Sequence, residues 1–569
     1  MRTIRFLMLF LLAGISARAQ TVWQGVVRDA EDNTPLGFCS VGVRGTDRGT
    51  VTNEDGVFSI SAKSTDTLAF YYLGYKKKRV PVSVLLKDTV VLLRSSANNL
   101  QEVTIKYDEE RLYKILLACK KQLEDRKAIK SKAYYQLETK INDKPVEVLE
   151  CYYNAVVKGA TIEKFQYKNG RVGVAKYDGR YFASMNTSKA IQNTDLTQES
   201  TYLPNTPLQM DLKSMMEQYK LSQLPSDENI YRIAFVPKKN KRLLFKGEIW
   251  MDKESSAIMK IEMSCDSATV HPFAADGLDK LGYVSIYIGQ TYQNDEGPGP
   301  LHHIDFTYQF DYIDRYKADG KIHSKAPKRA RTKGVVYFYD FKRPFIAPYY
   351  KYDVSEEDYQ KIALLPYNAF FWDNSEGLMR TKEQQRSIDF LTREGQLLNF
   401  KAGSNSKVGY EDFVKTNSLA WSDSTRVIIT HKNEDLINNP KPYQLKAQIY
   451  MDVNRVGDSV HHFSVSVFDV KNTYFTTRLD DKINCFVNIY FDIYEIERLH
   501  MEDKLEERSY SVEEVDEIYK RAVKTAERLA AEFVSEAQLG DNYDAMKKWN
   551  TYVSDNLDID NIKTFKLNR

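Results

Sequence analysis

Between residues 130 and 345 the chain carries seven long segments in which apolar and polar residues alternate: "KAYYQLETKI", "EVLECYYNAVVKGA", "RLLFKGEIWMD", "AIMKIEMS", "LGYVSIYIGQTYQ", "HHIDFTYQFDYID" and "GVVYFYDFK". Alternation sends successive side chains to opposite faces of a strand. Many such strands with short polar links predict a large, curved antiparallel sheet with helices against it. Asp252-Lys253-Glu254-Ser255-Ser256 lies between two of the segments and reads as a hairpin tip. Tyrosine is abundant here, 38 of 569 residues overall, and aromatic rings suit half-buried pleated surfaces, so strand packing accounts for them better than a ligand-stacking groove does.

The flanks differ. Residues 22–105 break into short strands at about ten-residue spacing with turn signals such as Asp55-Gly56 between them, which predicts an all-β sandwich with Val41, Val43, Phe58, Ile60, Leu68 and Phe70 in its core. Next comes "DEERLYKILLACKKQLEDRK", a helix with Leu112, Ile115, Leu116, Cys119 and Leu123 on one face. Residues 346–400 read as irregular and then helical around "KEQQRSIDFLTREGQLLN", and "KAGSNSKVG" marks a boundary. The last segment holds two strands and two helices, an α+β layout; the second helix opens on the capping box Ser511-Val512-Glu513-Glu514. The expected division is 1–19, 20–105, 106–400 and 401–569.

Residues 1–19 place Arg2 and Arg5 before the apolar run Phe6–Leu12 and the triplet Ala17-Arg18-Ala19, the order of a cleaved secretory signal; no cysteine follows the apolar run within the cleavage region, so a lipid-anchored form is not expected. The mature chain is expected to begin at or near Gln20, in the periplasm or at the outer membrane. Removing Arg2, Arg5 and Arg18 lowers the formal charge of +3 to zero, so nucleic acid is not expected as a partner. No later apolar run approaches the ~18 residues of a membrane span.

Cys39, Cys119, Cys151, Cys265 and Cys485 are widely spaced and odd in number, which points to buried thiols. His302-His303 and His461-His462 are adjacent pairs; on a strand they face opposite sides and share an ion poorly. The basic stretch "RYKADGKIHSKAPKRARTKG" reads as a solvated hairpin loop, with Lys325, Lys328, Arg329 and Arg331 as candidate anion contacts.

Resemblances to known families add to this in three regions of the chain. Gly25-Val26-Val27-x-Asp29, Pro35-Leu36-Gly37, Gly49-Thr50-x-Thr52-x-x-Asp55-Gly56-x-Phe58 and Gly74-Tyr75 resemble the carboxypeptidase-like regulatory domain found at the start of many Bacteroidota surface proteins. That resemblance implies a seven-stranded sandwich without chemistry of its own. "NNLQEVTI" resembles the linker into an outer-membrane receptor, but the helix that follows ends the likeness. "FKGEIWMDKESSAIMKIEM" resembles a strand pair of the periplasmic lipoprotein-carrier half-barrels.

The third concerns the C-terminus. Trp421-Ser422-Asp423, Phe468-Asp469 with Thr473-Tyr474, Phe491-Asp492-Ile493-x-Glu495-Ile496, Tyr543-Asp544 and Trp549 resemble, in order, a secreted zinc-peptidase family whose H-E-x-x-H lies on a helix. Where that family has its two histidines and glutamate, this chain has Phe486, Val487 and Tyr490. A zinc site needs two neutral imidazoles one turn apart and a carboxylate to take a proton from the bound water. Phe491, Asp492 and Glu495 would be retained scaffold, with Asp492 and Glu495 as buried or half-buried acceptors for backbone or the second helix. Glu495 lies about 140° round the helix from Tyr490, so it does not replace the missing donors.

No cofactor and no metal are expected, and the sequence leans away from an enzyme. The reading is an exported, non-catalytic envelope protein that binds or scaffolds a protein or a glycan, with possible peripheral contact with the outer membrane. The alternatives are a carrier or assembly factor for outer-membrane molecules, or a peptidase or hydrolase with an unrecognised site.

Overall fold

Seven strands between Thr21 and Leu93 form two facing sheets, one ordered Val57–Ala62, Thr21–Asp29, Val90–Leu93 and the other Gly49–Val51, Ser40–Val43, Thr67–Tyr71, Lys78–Pro81. In the computed structural model the described residues are 21–567 apart from 47, 86–88, 97–108, 294–298, 353–355, 376, 402–417, 425, 430–441, 458 and 471. The signal segment, "NNLQEVTI" and all but the first residue of "KAGSNSKVG" lie outside them.

Alternation supplies the sandwich core: Val41, Val43, Phe58, Ile60, Leu68 and Phe70 are all buried, and the rings of Phe58 and Phe70 meet edge to face at 5.5 Å. One pair departs from the antiparallel pattern. Thr21–Asp29 runs parallel to Val90–Leu93, with Val26 opposite Val90, because these strands are the two ends of the module and no hairpin joins them. Gly56 turns at φ 73°, and a Cβ there would stand 2.5 Å from the Val27 carbonyl oxygen.

The expected large antiparallel sheet is present. Its strand order is Tyr219–Leu224, Ile230–Pro237, Lys246–Asp252, Ile258–Cys265, Lys280–Tyr292, Leu301–Ile313, Lys328–Tyr339, Ala128–Ile141, Lys144–Lys158, Thr161–Val174 and Gln396–Leu398, an open series and not a closed barrel. Lys328–Tyr339 pairs with Ala128–Ile141, so two meanders distant in sequence join in one sheet. Helix Glu109–Glu124 buries Leu112, Leu116, Cys119 and Leu123, and the Tyr113 hydroxyl donates to the Tyr219 carbonyl at 2.8 Å.

The chain divides into two compact units: one of residues 1–165, 175–344 and 376–394, the other of residues 166–174, 345–375 and 395–569. Within the first, the sandwich touches the sheet through a Phe38–His303 ring stack at 4.9 Å, the Asn53 amide donating to the Arg380 carbonyl at 3.2 Å, and a Lys333–Glu54 pair at 3.1 Å. Within the second, a three-stranded sheet ordered Ser418–Ala420, Ser459–Asp469, Ala447–Val456 accompanies the helices Asp481–Glu506, Val512–Ala537 and Tyr543–Leu557. The capping box is formed: Ser511 Oγ accepts from the Glu514 amide at 3.2 Å and the Glu514 carboxylate from the Ser511 amide at 2.8 Å. Lys168 is buried in this unit because Asp452 neutralises it and the carbonyls of Ile346 and Val453 take its remaining protons at 2.9 and 3.1 Å. The fold is thus multidomain: an all-β N-terminal sandwich, a large antiparallel sheet with helices, and an α+β C-terminal region.

Candidate functional site

Helix Asp481–Glu506 starts where Asp480 Oδ1 accepts from the Ile483 amide at 2.9 Å, and every residue from Ile483 to Glu497 is buried. A helix apolar on all sides is one packed on all sides. Phe486 is 0% exposed, its ring 4.9 Å from Phe533 and edge-on to Tyr443 at 6.5 Å. Val487 is buried beside it. Tyr490 turns to Tyr494, ring to ring at 5.4 Å and hydroxyl to hydroxyl at 3.4 Å, and burial pushes its phenol far up. The three positions where the resemblance would put zinc ligands and the catalytic glutamate therefore hold a hydrocarbon ring, an isopropyl group and a neutral phenol. Such a set does not fit a zinc ion. Among the described residues, no three His, Cys, Asp or Glu side chains are gathered so as to hold a metal.

Asp492 has a different surrounding from the one its place on the helix suggests. Its partners come from an extended segment before the strands and from the chain end, not from the second helix: Trp421 Nε1 donates at 2.8 Å, Arg426 Nη1 at 2.9 and 3.1 Å to its two oxygens, and Asn561 Nδ2 at 2.7 Å. Burial raises the Asp492 carboxyl above the usual carboxylate range, against the pull of Arg426 and the neutral donors. One and two turns earlier on the same face stand Asn488 and Asn484. Asn488 accepts from the Val427 amide and donates to the Val427 carbonyl, both at 2.8 Å, while Asn484 accepts from the Ile429 amide at 3.0 Å. The stripe Asn484, Asn488, Asp492 thus pairs with segment 426–429 as a neighbouring strand would, satisfying buried backbone that the helix cannot reach. The spacing Asn-x-x-x-Asn-x-x-x-Asp was the available signal.

Glu495 faces another way. Arg498 meets it with two hydrogen bonds of 2.8 and 2.7 Å and also donates to Ser464 Oγ at 3.1 Å; Ser464 and His462 both engage Glu502, the latter at 2.7 Å. Phe491 packs on Phe468 at 5.4 Å. Trp549 stacks edge-on to Phe533 at 5.8 Å and donates to Glu536 at 2.8 Å.

The basic stretch is not a plain loop. Arg315–Ala318 and Lys321–Ser324 form a two-stranded ribbon, and Lys328–Tyr339 is a strand of the large sheet. Lys325 and Arg331 are exposed, whereas Lys328 is held by Asp178 and Asp314 at 2.6 and 2.7 Å and Arg329 by Asp311 at 2.9 Å. His302 and His303 do not face opposite sides: Thr291 pairs with His303 and Tyr292 with Leu301, so the bulge at His302 breaks the alternation and the two Nδ1 atoms meet at 3.0 Å. Burial, His302 and Lys260 keep His303 well below the usual imidazole range.

The CarboxypepD_reg-like domain family matches residues 23–105. The chain carries this domain at its N-terminus. Over 103 residues it is 34% identical to the TonB-dependent receptor SusC of Bacteroides thetaiotaomicron, a match covering 17% of this chain and 10% of the receptor. The chain therefore spans about a tenth of that relative's length. Among solved structures, the Pseudomonas aeruginosa MucA/MucB complex matches at a TM-score of 0.16 and 7% identity over 39% of this chain and 93% of the matched chain, and MucB at 0.15 and 9% over 41% and 92%.

Proposed function

We propose that this chain is an exported cell-envelope protein that binds or scaffolds another envelope component, a protein or a glycan, and that its residues 401–569 are a peptidase-like scaffold without catalytic function. The observation that carries the reading is the filling of the candidate metal face by Phe486, Val487 and Tyr490 in the middle of a packed helix. The acidic residues of the retained motif, Asp492 and Glu495, are engaged by Arg426 and Arg498. The CarboxypepD_reg-like module and its similarity to part of a TonB-dependent receptor support an envelope setting. Residues 20–105, 106–400 and 401–569 are the working modules. Among the described residues, no helix is long and apolar enough to cross a membrane.

The test is cross-linking in intact cells followed by envelope fractionation. The chain should be recovered from the envelope, starting near Gln20, with one reproducible cross-linked partner. Recovery from the cytosol with Met1 intact would end the proposal.

A further inference from the structure

The ribbon Arg315–Ser324 is a sheet of its own, with Tyr316 opposite His323 and Lys317 opposite Ile322. Residues 316–317 and 319–327 are exposed, so both faces of the ribbon meet solvent. Each face combines an apolar group with a cation. Tyr316, 47% exposed and stacked on His323 at 5.5 Å, shares its face with Lys321; Ile322, also 47% exposed, shares the other with Lys317. Lys317 and Lys321 form no ion pair among the described residues, and Asp319 at the tip is the ribbon's one acid against Arg315, Lys317 and Lys321. Beyond the Tyr316–His323 stack, about half of the surface of Tyr316 and of Ile322 is left open to solvent on a ribbon that packs on no other sheet.

Two more exposed apolar side chains belong to the segment tied to the ribbon's base and to the strand that follows it. Asp279 accepts from the Arg315 amide at 2.7 Å, tying the ribbon's base to the segment that exposes Leu278 by 41%. Tyr283, in a bulge of the adjoining strand at φ 49°, is 74% exposed. A non-glycine residue held at positive φ with its ring in water spends conformational energy to present that ring.

We propose that this end of the sheet docks on an anionic lipid surface, with Tyr316, Ile322, Leu278 and Tyr283 entering the headgroup layer and Lys317 and Lys321 meeting lipid phosphates. Charge selects the occupant: unpaired lysines on long stems beside tyrosine rings match an interface that is apolar on one side and negative on the other. The inference builds on the envelope reading, since only an exported chain meets such a surface there.

The experiment uses the full mature chain in co-sedimentation with vesicles of phosphatidylcholine alone or with about a third phosphatidylglycerol, at about 50 and 300 mM salt. Binding is expected to the anionic vesicles and to weaken with salt. Lys317→Gln with Lys321→Gln should weaken it about 25-fold, at about fivefold per cation. Tyr316→Ser with Ile322→Ser should weaken it at both salt concentrations while leaving the melting temperature unchanged, since neither side chain is buried. Equal binding to neutral vesicles, anionic binding that both variants retain, or retention on heparin with no vesicle binding would each overturn the proposal. A chain that fails on vesicles yet is exported and cross-links a partner would refute the ribbon's role and leave the scaffold reading standing.

Discussion

Truncating Phe486 to alanine tests whether the candidate metal face has become core. The side chain is wholly buried and packs on Phe533 at 4.9 Å and Tyr443 at 6.5 Å. Removing it loses the transfer energy of the ring and leaves a cavity, together about 3–5 kcal/mol where the surroundings do not collapse. Collapse is hindered here, because Phe533 is itself held by Trp549 at 5.8 Å and Val487 belongs to the same rigid helix. For a cooperative unit of roughly 150–250 residues each kcal/mol moves the midpoint by about 2–4 °C, so the melting temperature should fall by about 6–20 °C. The assay is thermal and urea unfolding of Phe486→Ala, Phe533→Ala and the double variant. The cycle should show a coupling of about 0.5–1.5 kcal/mol for the aromatic pair. A Phe486→Ala chain that melts within a degree or two of the parent would refute the reasoning, because a residue so placed cannot be removed without cost.

Other outcomes follow from the same geometry. Arg426→Ala strands the Asp492 carboxylate and should cost about 3–5 kcal/mol, more than the paired replacement Arg426→Met with Asp492→Leu; equal losses in urea unfolding would contradict the ion pair. Burial pushes the Asp305 carboxyl up to about 6. A folded-state value above the unfolded one means the native state holds the proton more tightly, so this group lowers stability as pH rises from about 4 to 6, by about 3 kcal/mol in all. Asp305→Asn should remove that decline, and parallel stability–pH curves for parent and variant would show that the carboxyl is not the source. Residues 22–96 expressed alone should give a β-type far-UV spectrum with a cooperative melt, since Val41, Phe58, Leu68 and Phe70 close a core within the segment; a helical or unfolded spectrum would contradict it.

Much of the fold was legible because alternation and turn chemistry act locally. Val41, Phe58 and Leu68 declare a buried face every second residue, and Ser511 with Glu514 declares a helix start. Strand Thr161–Val174 was harder, because Asn169-Gly170, which normally marks a turn, lies buried within it. The pairing of His302 with His303 depends on a one-residue bulge, and a bulge leaves no periodic trace. At the candidate site the absence of ligands at Phe486, Val487 and Tyr490 could be read directly. The binding of Asp492 to Trp421, Arg426 and Asn561 could not, because these partners lie about 70 residues away on both sides and only tertiary packing gathers them. Glu495 was placed off the candidate metal face by helical geometry alone, but its pairing with Arg498 needed the side chains.

The proposal stands or falls on whether the helix face of Phe486, Val487 and Tyr490 holds a metal ion. It is tested most directly by metal analysis of the purified full chain together with its melting temperature in excess chelator. The account predicts less than about a tenth of an equivalent of zinc and an unchanged midpoint, because an ion that binds only the folded state must add stability that a chelator removes. One equivalent of tightly held zinc with a chelator-induced fall in the midpoint would contradict it.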